Sequence, residues 1–469
     1  MTSPNTLATR FKGALLAVLV MGPFLAQADA TIANVATPAI RTGLAASESA
    51  IELVVSAYLI AFAVLIIPGA RLGNTHGYKR MFLLGVALFG VTSLLCGLAP
   101  NAPVLVLTRA LQGAAGALMF PQALTGIQLN FTAENRARAI GYYTVALSCG
   151  AVLGQILGGV LIEADLAGTG WRSIFLVNVP VCAIVLVAGL RYLPSDQRRT
   201  TSAGVHPPSV VALAVAVLLL VLPLCLGRTE GWPLWTWLSL IAAAPAAWLF
   251  LTVMRRAEAL GASPLFSVDA LRRRPIVLGL AGLFTATSTY YALLFTLAQY
   301  VQFGLGHSAV ESGLMLVTWV AAFGVAGKVA ARLPVSMHRQ LPWLGCVLLA
   351  SAFLGVSGAL FVGWHPMALL VVLLTVGGFG LGTQFSTMIG HLTRAVEDRY
   401  ASDISGASTM TMQMGGATGV ALFGTLYLAL APMAGVEAAA HHAFALDTLL
   451  LGCAALLAGT FAWCATHLE

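Results

Sequence analysis

The composition and the lengths of the apolar runs predict an all-α membrane protein with about fourteen transmembrane helices. Hydrophobic residues make up 59% of the 469-residue chain, whereas charged residues make up only 9%. A soluble globular protein carries roughly a quarter charged residues, because its surface must face water. We therefore expect most of this protein's surface to face the acyl chains of a lipid bilayer.

The apolar runs have the length of roughly 20 residues that a helix needs to cross the hydrocarbon core. They form a group of six, a central pair and a second group of six. The predicted spans lie near 13–36, 51–70, 81–99, 103–129, 139–162, 173–193, 209–227, 233–254, 275–300, 309–331, 342–362, 366–390, 404–431 and 444–466. We predict an N-terminal six-helix bundle at 1–199, two linker helices at 200–262 and a C-terminal six-helix bundle at 263–469.

The distribution of positive charge orients these spans, because cytoplasmic loops of membrane proteins are enriched in Lys and Arg. With a cytoplasmic N-terminus, Arg109 falls inside a span and only Arg41, Arg172 and Arg228 fall at outer ends. The rest of the 24 Lys and Arg residues fall at cytoplasmic ends. The acidic residues divide evenly between the faces, with Asp29 as the one assigned to a span. We predict a multi-pass inner-membrane protein with both termini in the cytoplasm.

Several classes of function lack support in the sequence. The 7 cysteines stand singly in apolar runs, and the 9 histidines lack ligand spacing, so we expect neither a disulfide framework nor a metal site. There is no P-loop, so no built-in ATP motor is expected. The net charge of +7 is spread over short clusters, which argues against a nucleic-acid partner. We expect no cofactor, with an ion gradient as the energy source.

A weak internal repeat indicates two related halves about 260 residues apart. The segment that begins at Gly69 recurs from Gly327. The glycines Gly150, Gly154 and Gly158 of the fifth span have counterparts in Gly415, Gly416 and Gly419. Parallel repeats of six helices are a known transporter architecture, with the substrate site between the halves near the middle of the membrane.

Asp29 is the most informative single residue. An ionisable group inside a span costs about 2.5–3.5 kcal/mol on insertion scales, and such groups commonly mark ion or substrate pathways. Asp29 lies about sixteen residues into the first span, roughly 24 Å from its cytoplasmic end. The alternative interpretations are a carboxylate that reaches the outer interface and one that caps a broken helix end.

Arg109 is the second ionisable residue inside a span. It lies about six residues into the fourth span, roughly 9 Å from the outer end, in the same depth band as Asp29. We hypothesise that the two residues face one cavity and form a switchable ion pair. Burial disfavours a carboxylate and a nearby guanidinium favours it, so a change in distance or hydration would load or release a proton. The alternative for Arg109 is the bracing of neighbouring carbonyl groups.

Other polar and small residues in the spans have two interpretations each. A cavity for amphipathic molecules combines apolar walls with a few polar groups, whereas amides in spans also hold helices together. The candidates for such a cavity are Asn34, Gln112, Tyr290, Tyr291 and Gln299. Glycines at four-residue spacing allow close helix contact, either static or sliding. In the fifth span these are Gly150, Gly154, Gly158 and then Gly159.

Six motifs in order along the chain carry a family resemblance. The first is ADATIANVATPAI, with Asp29, Thr31, Asn34 and Pro38; the second is GARLGNTHGYKRMFLLG, with Gly69, Gly73, Gly77, Lys79 and Arg80. The third is RALQGAAGA, with Arg109, Gln112 and Gly113. The last three are GAVLGQILGG, WRSIFLVNVP and YVQFGLGHSAVESGLMLV. Together they resemble the major facilitator superfamily, specifically its fourteen-helix drug:proton antiporter branch. The resemblance implies two six-helix bundles plus two extra central helices, and it associates Arg109 with proton coupling.

Two positions depart from the motifs of this branch. Asn74 stands where the loop motif carries an aspartate that is thought to latch the inward-closed state, so the gating contact is expected to be weaker or built differently. Gln155 stands where the antiporter motif carries a proline that is tied to helix bending in exporters. This second departure makes the direction of transport less secure.

The interpretation that accounts for most of these features is proton-coupled efflux of small amphipathic or cationic compounds by a monomer, with Asp29 as proton carrier and Arg109 as its partner. A proton-coupled metabolite porter on the same fold is the alternative. A membrane sensor or scaffold is disfavoured because no soluble input or output domain is recognised. An enzyme is disfavoured because no nucleophile, base or metal cluster is recognised.

Overall fold

The computed structural model describes residues 4–165, 168–196, 206–260, 265, 273–330, 332–334, 337–364, 366–395, 401–431 and 437–467. Within these ranges, 14 helices are long and apolar enough to cross a membrane. This confirms the predicted all-helical membrane fold. The boundaries predicted between the bundles and the linker helices, near 199 and 262, lie outside the described residues and remain predictions.

The helices are numbered α1 to α14 in chain order. Both ends of α1 extend beyond the predicted 13–36. The first six are α1 (Pro4–Gly43), α2 (Glu48–His76), α3 (Tyr78–Gly97), α4 (Ala102–Asn130), α5 (Ala133–Ala164) and α6 (Gly170–Tyr192). The others are α7 (Pro207–Leu226), α8 (Leu234–Ala259), α9 (Arg274–Gly304), α10 (Ala309–Ala330), α11 (Leu341–Val362), α12 (Met367–Arg394), α13 (Gly406–Leu430) and α14 (Glu437–His467).

Local sequence sets several helix ends. Ser47 Oγ accepts the Ala50 N–H at 3.2 Å at the start of α2, and Asn101 Oδ1 accepts the Val104 N–H at 3.0 Å at the start of α4. Both are N-caps, which satisfy N–H groups that have no partner inside the helix. Gly77 separates α2 from α3 with a φ of +98°, a conformation that favours glycine.

The internal repeat is visible in how the helices pack. In the first half α1 packs on α5, α2 on α4, α3 on α4, and α3 on α6. In the second half α9 packs on α13, α10 on α12, α11 on α12, and α11 on α14. Each of these contacts in the second half joins helices whose numbers are eight higher than those of its counterpart in the first half. The halves meet along α2 with α13, α5 with α10, and α1 with α9, while α7 and α8 pack on each other and α7 also contacts α2 and α13.

We call the end where α1 begins and α14 ends the termini face, and the opposite end the distal face. Hydrogen bonds between the halves concentrate toward the distal face. Gln302 Nε2 donates to the Val35 carbonyl at 2.9 Å, and the Val310 N–H donates to Glu163 Oε1 at 2.9 Å. Toward the termini face α2 and α13 still approach each other, since a Cβ at Gly406 would lie 3.3 Å from Ile67 Cγ1. The hydrogen bonds that join the two halves therefore lie mainly toward the distal face.

Candidate functional site

Asp29 of α1 and Arg109 of α4 form an ion pair inside the first half. Arg109 Nη1 donates to Asp29 Oδ2, and both side chains are 0% exposed. The predicted pairing is thus present. Packed neighbours surround both side chains, and the prediction that the two residues face one cavity remains a prediction.

Two amides complete the set of donors to Asp29. Gln112 Nε2 and Asn178 Nδ2 each donate to Asp29 Oδ1 at 2.9 Å. Gln112 Oε1 also accepts from Arg109 Nη1 at 2.7 Å, and its amide donates to Ser93 Oγ at 2.8 Å. The carboxylate therefore receives one charged and two neutral hydrogen bonds, from α4 and α6. We call Asp29, Arg109, Gln112 and Asn178 the charge cluster.

The rest of the Arg109 guanidinium lies against α2 and α6. Its Nε donates to the Val54 carbonyl at 3.1 Å, and its Cζ lies 4.4 Å from the Tyr58 ring centre and 5.6 Å from the Phe175 ring centre. Stacking of a guanidinium on aromatic faces is favourable, the more so where water is excluded. The Nη2 atom has no hydrogen-bond partner among the described residues. Arg109 thus keeps an unused donor beside its ion pair.

Sequence reasoning missed three members of this environment: Asn178, Tyr58 and Ser93. Asn178 is an amide in the apolar sixth span, which is a signal that could have been used. Its partner lies 149 positions earlier in the chain, and nothing in the spacing connects them. Tyr58 donates from its hydroxyl to the Ala26 carbonyl at 3.0 Å, which holds its ring under the guanidinium.

The residues predicted to line a substrate cavity are dispersed. Gln112 belongs to the charge cluster. Asn34 is fully buried and its Nδ2 donates to the Ala30 carbonyl of its own helix at 2.9 Å. Gln299 is 2% exposed and its Nε2 donates to Thr37 Oγ1 of α1 at 3.3 Å, so it joins the halves near the distal face. A substrate role for these three residues remains a prediction.

Tyr290 and Tyr291 lie in the middle of α9, as the sequence indicated. The Tyr291 hydroxyl donates to Gln413 Oε1 of α13 at 3.3 Å, and this side chain is buried. The Tyr290 ring stacks on Phe323 of α10 with 6.2 Å between ring centres. The two tyrosines thus bring α9, α10 and α13 together with an aromatic surface, and a substrate contact remains a prediction.

The glycines of α5 permit backbone contact with α1. A Cβ at Gly150 would lie 2.6 Å from the Phe24 carbonyl oxygen, and one at Gly154 would lie 2.5 Å from that of Ala28. The equivalent positions of the second half behave alike, since a Cβ at Gly415 would lie 2.4 Å from the Phe284 carbonyl oxygen. Small residues let membrane helices approach this closely.

The neighbouring positions of α5 face the other half. A Cβ at Gly159 would lie 2.6 Å from the Val310 Cα of α10, whereas Gly158 packs on Ile32 of α1. Gln155 is fully buried between the halves, and its Nε2 donates to the Thr31 carbonyl at 3.4 Å. α5 is helical through Gln155 without interruption.

The loop motif between α2 and α3 is held by Asp196, which follows α6. The two carboxylate oxygens accept the N–H groups of Lys79 at 2.9 Å and Arg80 at 3.1 Å, so Asp196 caps the start of α3. Asn74 is exposed and lines a small cleft with Gly77 and Asp196. This contact is internal to the first half, and a gating role for the motif remains a prediction.

The glycines that precede the loop make the contact between α2 and α4. A Cβ at Gly69 would lie 2.3 Å from the Ala117 carbonyl oxygen, and one at Gly73 would overlap Gln122. Gln122 Nε2 donates to the Gly69 carbonyl at 2.8 Å. The motif glycines therefore allow α2 to contact α4 directly.

Two further acidic residues are buried in the membrane-spanning part. Glu52 of α2 is 2% exposed and Asp447 of α14 is 0% exposed. The assignment of Asp29 as the one acidic residue within a span was therefore wrong. Both residues fall near the ends of predicted spans, where counting by sequence position places them at an interface, whereas neighbouring helices cover them in the fold.

Comparison with known proteins gives the family. The model of the Major Facilitator Superfamily matches residues 19–420. The chain is 35% identical over 429 residues to a probable actinorhodin transporter of Streptomyces coelicolor, covering 89% of this chain and 72% of that protein. It is 30% identical over 417 residues to the multidrug resistance protein Stp of Mycobacterium tuberculosis, covering 87% and 74%.

The fold agrees with this match. A bacterial homolog of the human lysosomal transporter Spinster, solved in an inward-facing and unoccupied conformation, superposes with a TM-score of 0.71 at 15% identity over 99% of this chain and 98% of that one. At this identity the likeness concerns the fold alone. The resemblance seen in the sequence motifs is confirmed, and the chain belongs to the major facilitator superfamily.

Proposed function

We propose that the protein exports small amphipathic or cationic compounds in exchange for protons, with Asp29 as the proton carrier and Arg109 as its partner. The single observation that carries the proposal is the charge cluster: a carboxylate, 0% exposed, whose charge is balanced by one guanidinium and two amides. The names of the relatives, a probable actinorhodin transporter and a multidrug resistance protein, favour efflux of drug-like molecules.

The cluster gives protonation a mechanical consequence. A proton on Asp29 removes the negative charge and leaves the buried Arg109 guanidinium without a counter-ion. An unpaired buried charge costs several kcal/mol, so the protonated state favours a conformation in which Arg109 meets water or another acceptor. Tyr58 contacts the guanidinium, and Ser56 on the same helix donates to the Ala417 carbonyl of α13 at 3.5 Å, which provides a route to the second half.

The sidedness follows from the charge distribution and from the closed distal face. Lys79 and Arg80 lie at the termini face, and most of the other Lys and Arg residues belong to the same side by sequence, so this face is assigned to the cytoplasm of an inner-membrane protein. We propose that substrate enters from this face. We propose that the protein works as a monomer. One charge moved through 100 mV supplies about 2.3 kcal/mol.

The test uses purified protein in liposomes with an acidic interior, a pH dye inside and the cation ethidium as probe substrate. Antiport predicts that added ethidium triggers proton release from the interior. In Asp29→Asn the carboxyl is absent, so proton release should fall to the level of empty liposomes. Asp165→Asn is the matched control, because Asp165 is an acidic residue beyond the end of α5 and asparagine retains its acceptor for the Gly170 N–H.

Each outcome decides between the interpretations. Full ethidium-driven proton release by Asp29→Asn would show that Asp29 is not the carrier. Proton movement in the same direction as a solute, found in a panel of metabolites, would favour the metabolite porter. Silence of the wild-type protein with a broad panel of compounds would favour the sensor or scaffold.

A further inference from the structure

Glu52 joins three parts of the molecule near the distal face. It lies in the second turn of α2 and is 2% exposed. Its Oε2 lies 2.7 Å from Thr425 Oγ1 of α13, and the same hydroxyl lies 2.9 Å from the carbonyl oxygen of Leu224 in α7. The first half, the second half and the central helix pair therefore meet at one hydroxyl group.

Counting protons at this hydroxyl decides the state of Glu52. Thr425 has one proton to donate, yet it lies within hydrogen-bond distance of two acceptors. Leu224 is in the last turn of α7, where carbonyl groups lack a partner within the helix. A protonated Glu52 donates to Thr425, which donates to Leu224, and every group is then satisfied. An ionised Glu52 would take the Thr425 proton and leave the Leu224 carbonyl without it.

The surrounding charges do not balance an ionised Glu52. Glu48, one turn earlier on α2, pairs with Arg41 at 3.1 Å and with Arg228. Among the described residues no cation lies within salt-bridge distance of Glu52. Besides Thr425, the other groups near Glu52 are Cys225 of α7, which also contacts Ser56, and the more distant Arg228. A buried carboxylate with no counter-ion is costly, which again favours the neutral acid.

The α13 side of the contact is suited to movement. A π-helical turn, Val420–Gly424, immediately precedes Thr425. Such turns replace the regular helical hydrogen bonds and are frequent at functional sites. A small rearrangement of this turn would separate Thr425 from Glu52 and Leu224 together. The contact between α2 and α13 would then open to water at the distal face.

We propose that Glu52 is a second proton-binding site, distinct from Asp29, that holds its proton while the distal face is closed and releases it to the distal side when α2 and α13 separate. The proton is the ligand and no other group is transferred. Bound proton favours the closed state, so acidity on the distal side favours closure and rising pH favours opening. The inference rests on alternating access of the two halves but not on Asp29 as carrier.

The experiment follows the native Cys225, which is 1% exposed and lies beside Glu52. Alkylation of Cys225 by a membrane-impermeant maleimide on the distal side is measured by peptide mass spectrometry between pH 5.5 and 8. Rates are divided by those of the unfolded protein, which removes the intrinsic pH dependence of the thiol. Opening linked to the release of one proton raises the corrected wild-type rate by up to about tenfold per pH unit.

Two variants sharpen the result. Glu52→Gln keeps a donor to Thr425 without a titrating group, so its corrected rate should stay low and independent of pH. Glu163→Gln is the matched control: Glu163 also joins the halves at the distal face, but it accepts from the Val310 N–H and needs no proton of its own, so this variant should follow the wild type.

A corrected wild-type rate that does not change with pH would overturn the proposal, as would a pH dependence that persists in Glu52→Gln. If Glu52→Gln fails to fold, a wild-type rate that does not change with pH still overturns the proposal. If Asp29→Asn loses ethidium-driven proton release but keeps the wild-type pH profile of Cys225 alkylation, both proposals are supported, and Asp29 and Glu52 act as separate proton sites. Retention of that release would reject Asp29 as carrier and leave the Glu52 site standing.

Discussion

Asp29 and Asp447 are both fully buried carboxyl groups, one in each half of a molecule whose two halves pack alike. Asp29 receives hydrogen bonds from a guanidinium and two amides. Neither carboxyl oxygen of Asp447 has a hydrogen bond of good geometry among the described residues, and its polar neighbour is the neutral Thr296 hydroxyl, which lies close enough to interact with it. Burial alone therefore does not identify a charged site, whereas the set of donors does.

The difference assigns different forms to the two groups. Asp29 is stable as a carboxylate because its charge is compensated at every available oxygen. Asp447 has no counter-ion among the described residues, and its nearby donor is the neutral Thr296 hydroxyl, so it is stable in its position as the neutral acid. The repeat thus duplicates the helix packing but not the charge, and the first half alone holds a buried ion pair among the described residues.

The largest effect is expected for Arg109→Met. Removing the guanidinium leaves the Asp29 charge buried without a partner, and such a change destabilises proteins by about 3–5 kcal/mol. The loss should appear as a lower midpoint of thermal unfolding in detergent. Adding Asp29→Asn to Arg109→Met removes the uncompensated charge and should recover a large part of the loss. Equal midpoints for the single and double variants would contradict a compensating ion pair.

The next largest effect is expected for Asn178→Ala. This change removes one of the two amide donors to Asp29, and a hydrogen bond to a charged group contributes about 1.5–3 kcal/mol. The variant should unfold at a lower temperature than the wild type, and a proton carrier with fewer donors should change the pH profile of ethidium transport. Ser357→Ala is the control in the second half, because Ser357 Oγ donates to the uncharged Ala445 carbonyl. A smaller loss for Asn178→Ala than for Ser357→Ala would contradict the assigned role.

These same residues show which features of the site could be predicted from the sequence. Asp29 and Arg109 stand out because an ionisable residue in the middle of an apolar run is visible without a structure. Asn178 and Tyr58 did not stand out, because their importance comes from contacts between helices that are distant in the chain. The helix count was predictable because each span must satisfy its own backbone in lipid, so length and composition carry the signal.

The carboxyl groups near span ends show the limit most directly. Asp447 lies within the predicted 444–466 and Glu52 within the predicted 51–70, each a few residues from the end. By sequence position such residues belong to the interface. In the fold, α9 and α13 cover Asp447, and α7 and α13 cover Glu52, so burial at the span ends depends on the neighbouring helices.

A third prediction concerns the packing that the two halves share. Gly154→Ala places a methyl group 2.5 Å from the Ala28 carbonyl oxygen, and Gly419→Ala places one 2.2 Å from that of Ser288. Both changes should destabilise by about 1–3 kcal/mol through overpacking. Gly141→Ala, in open space on the same helix as Gly154, should be neutral or stabilising by about 0.5–1 kcal/mol. A loss in one half only would show that the halves differ in packing as well as in charge.

The smallest and most discriminating effect is expected for Asp447→Leu. The substitution replaces a buried carboxyl that has no hydrogen bond of good geometry among the described residues with an apolar side chain of similar size. Removing such a group relieves a desolvation cost of about 1–3 kcal/mol, partly offset by the extra volume of leucine. The midpoint of thermal unfolding should therefore stay equal or rise slightly, and ethidium-driven proton release should persist.

The same substitution at Asp29 should destabilise, because it leaves Arg109 unpaired. A marked loss of stability or transport in Asp447→Leu would mean that the second half also depends on its carboxyl group, and the asymmetry would then fail.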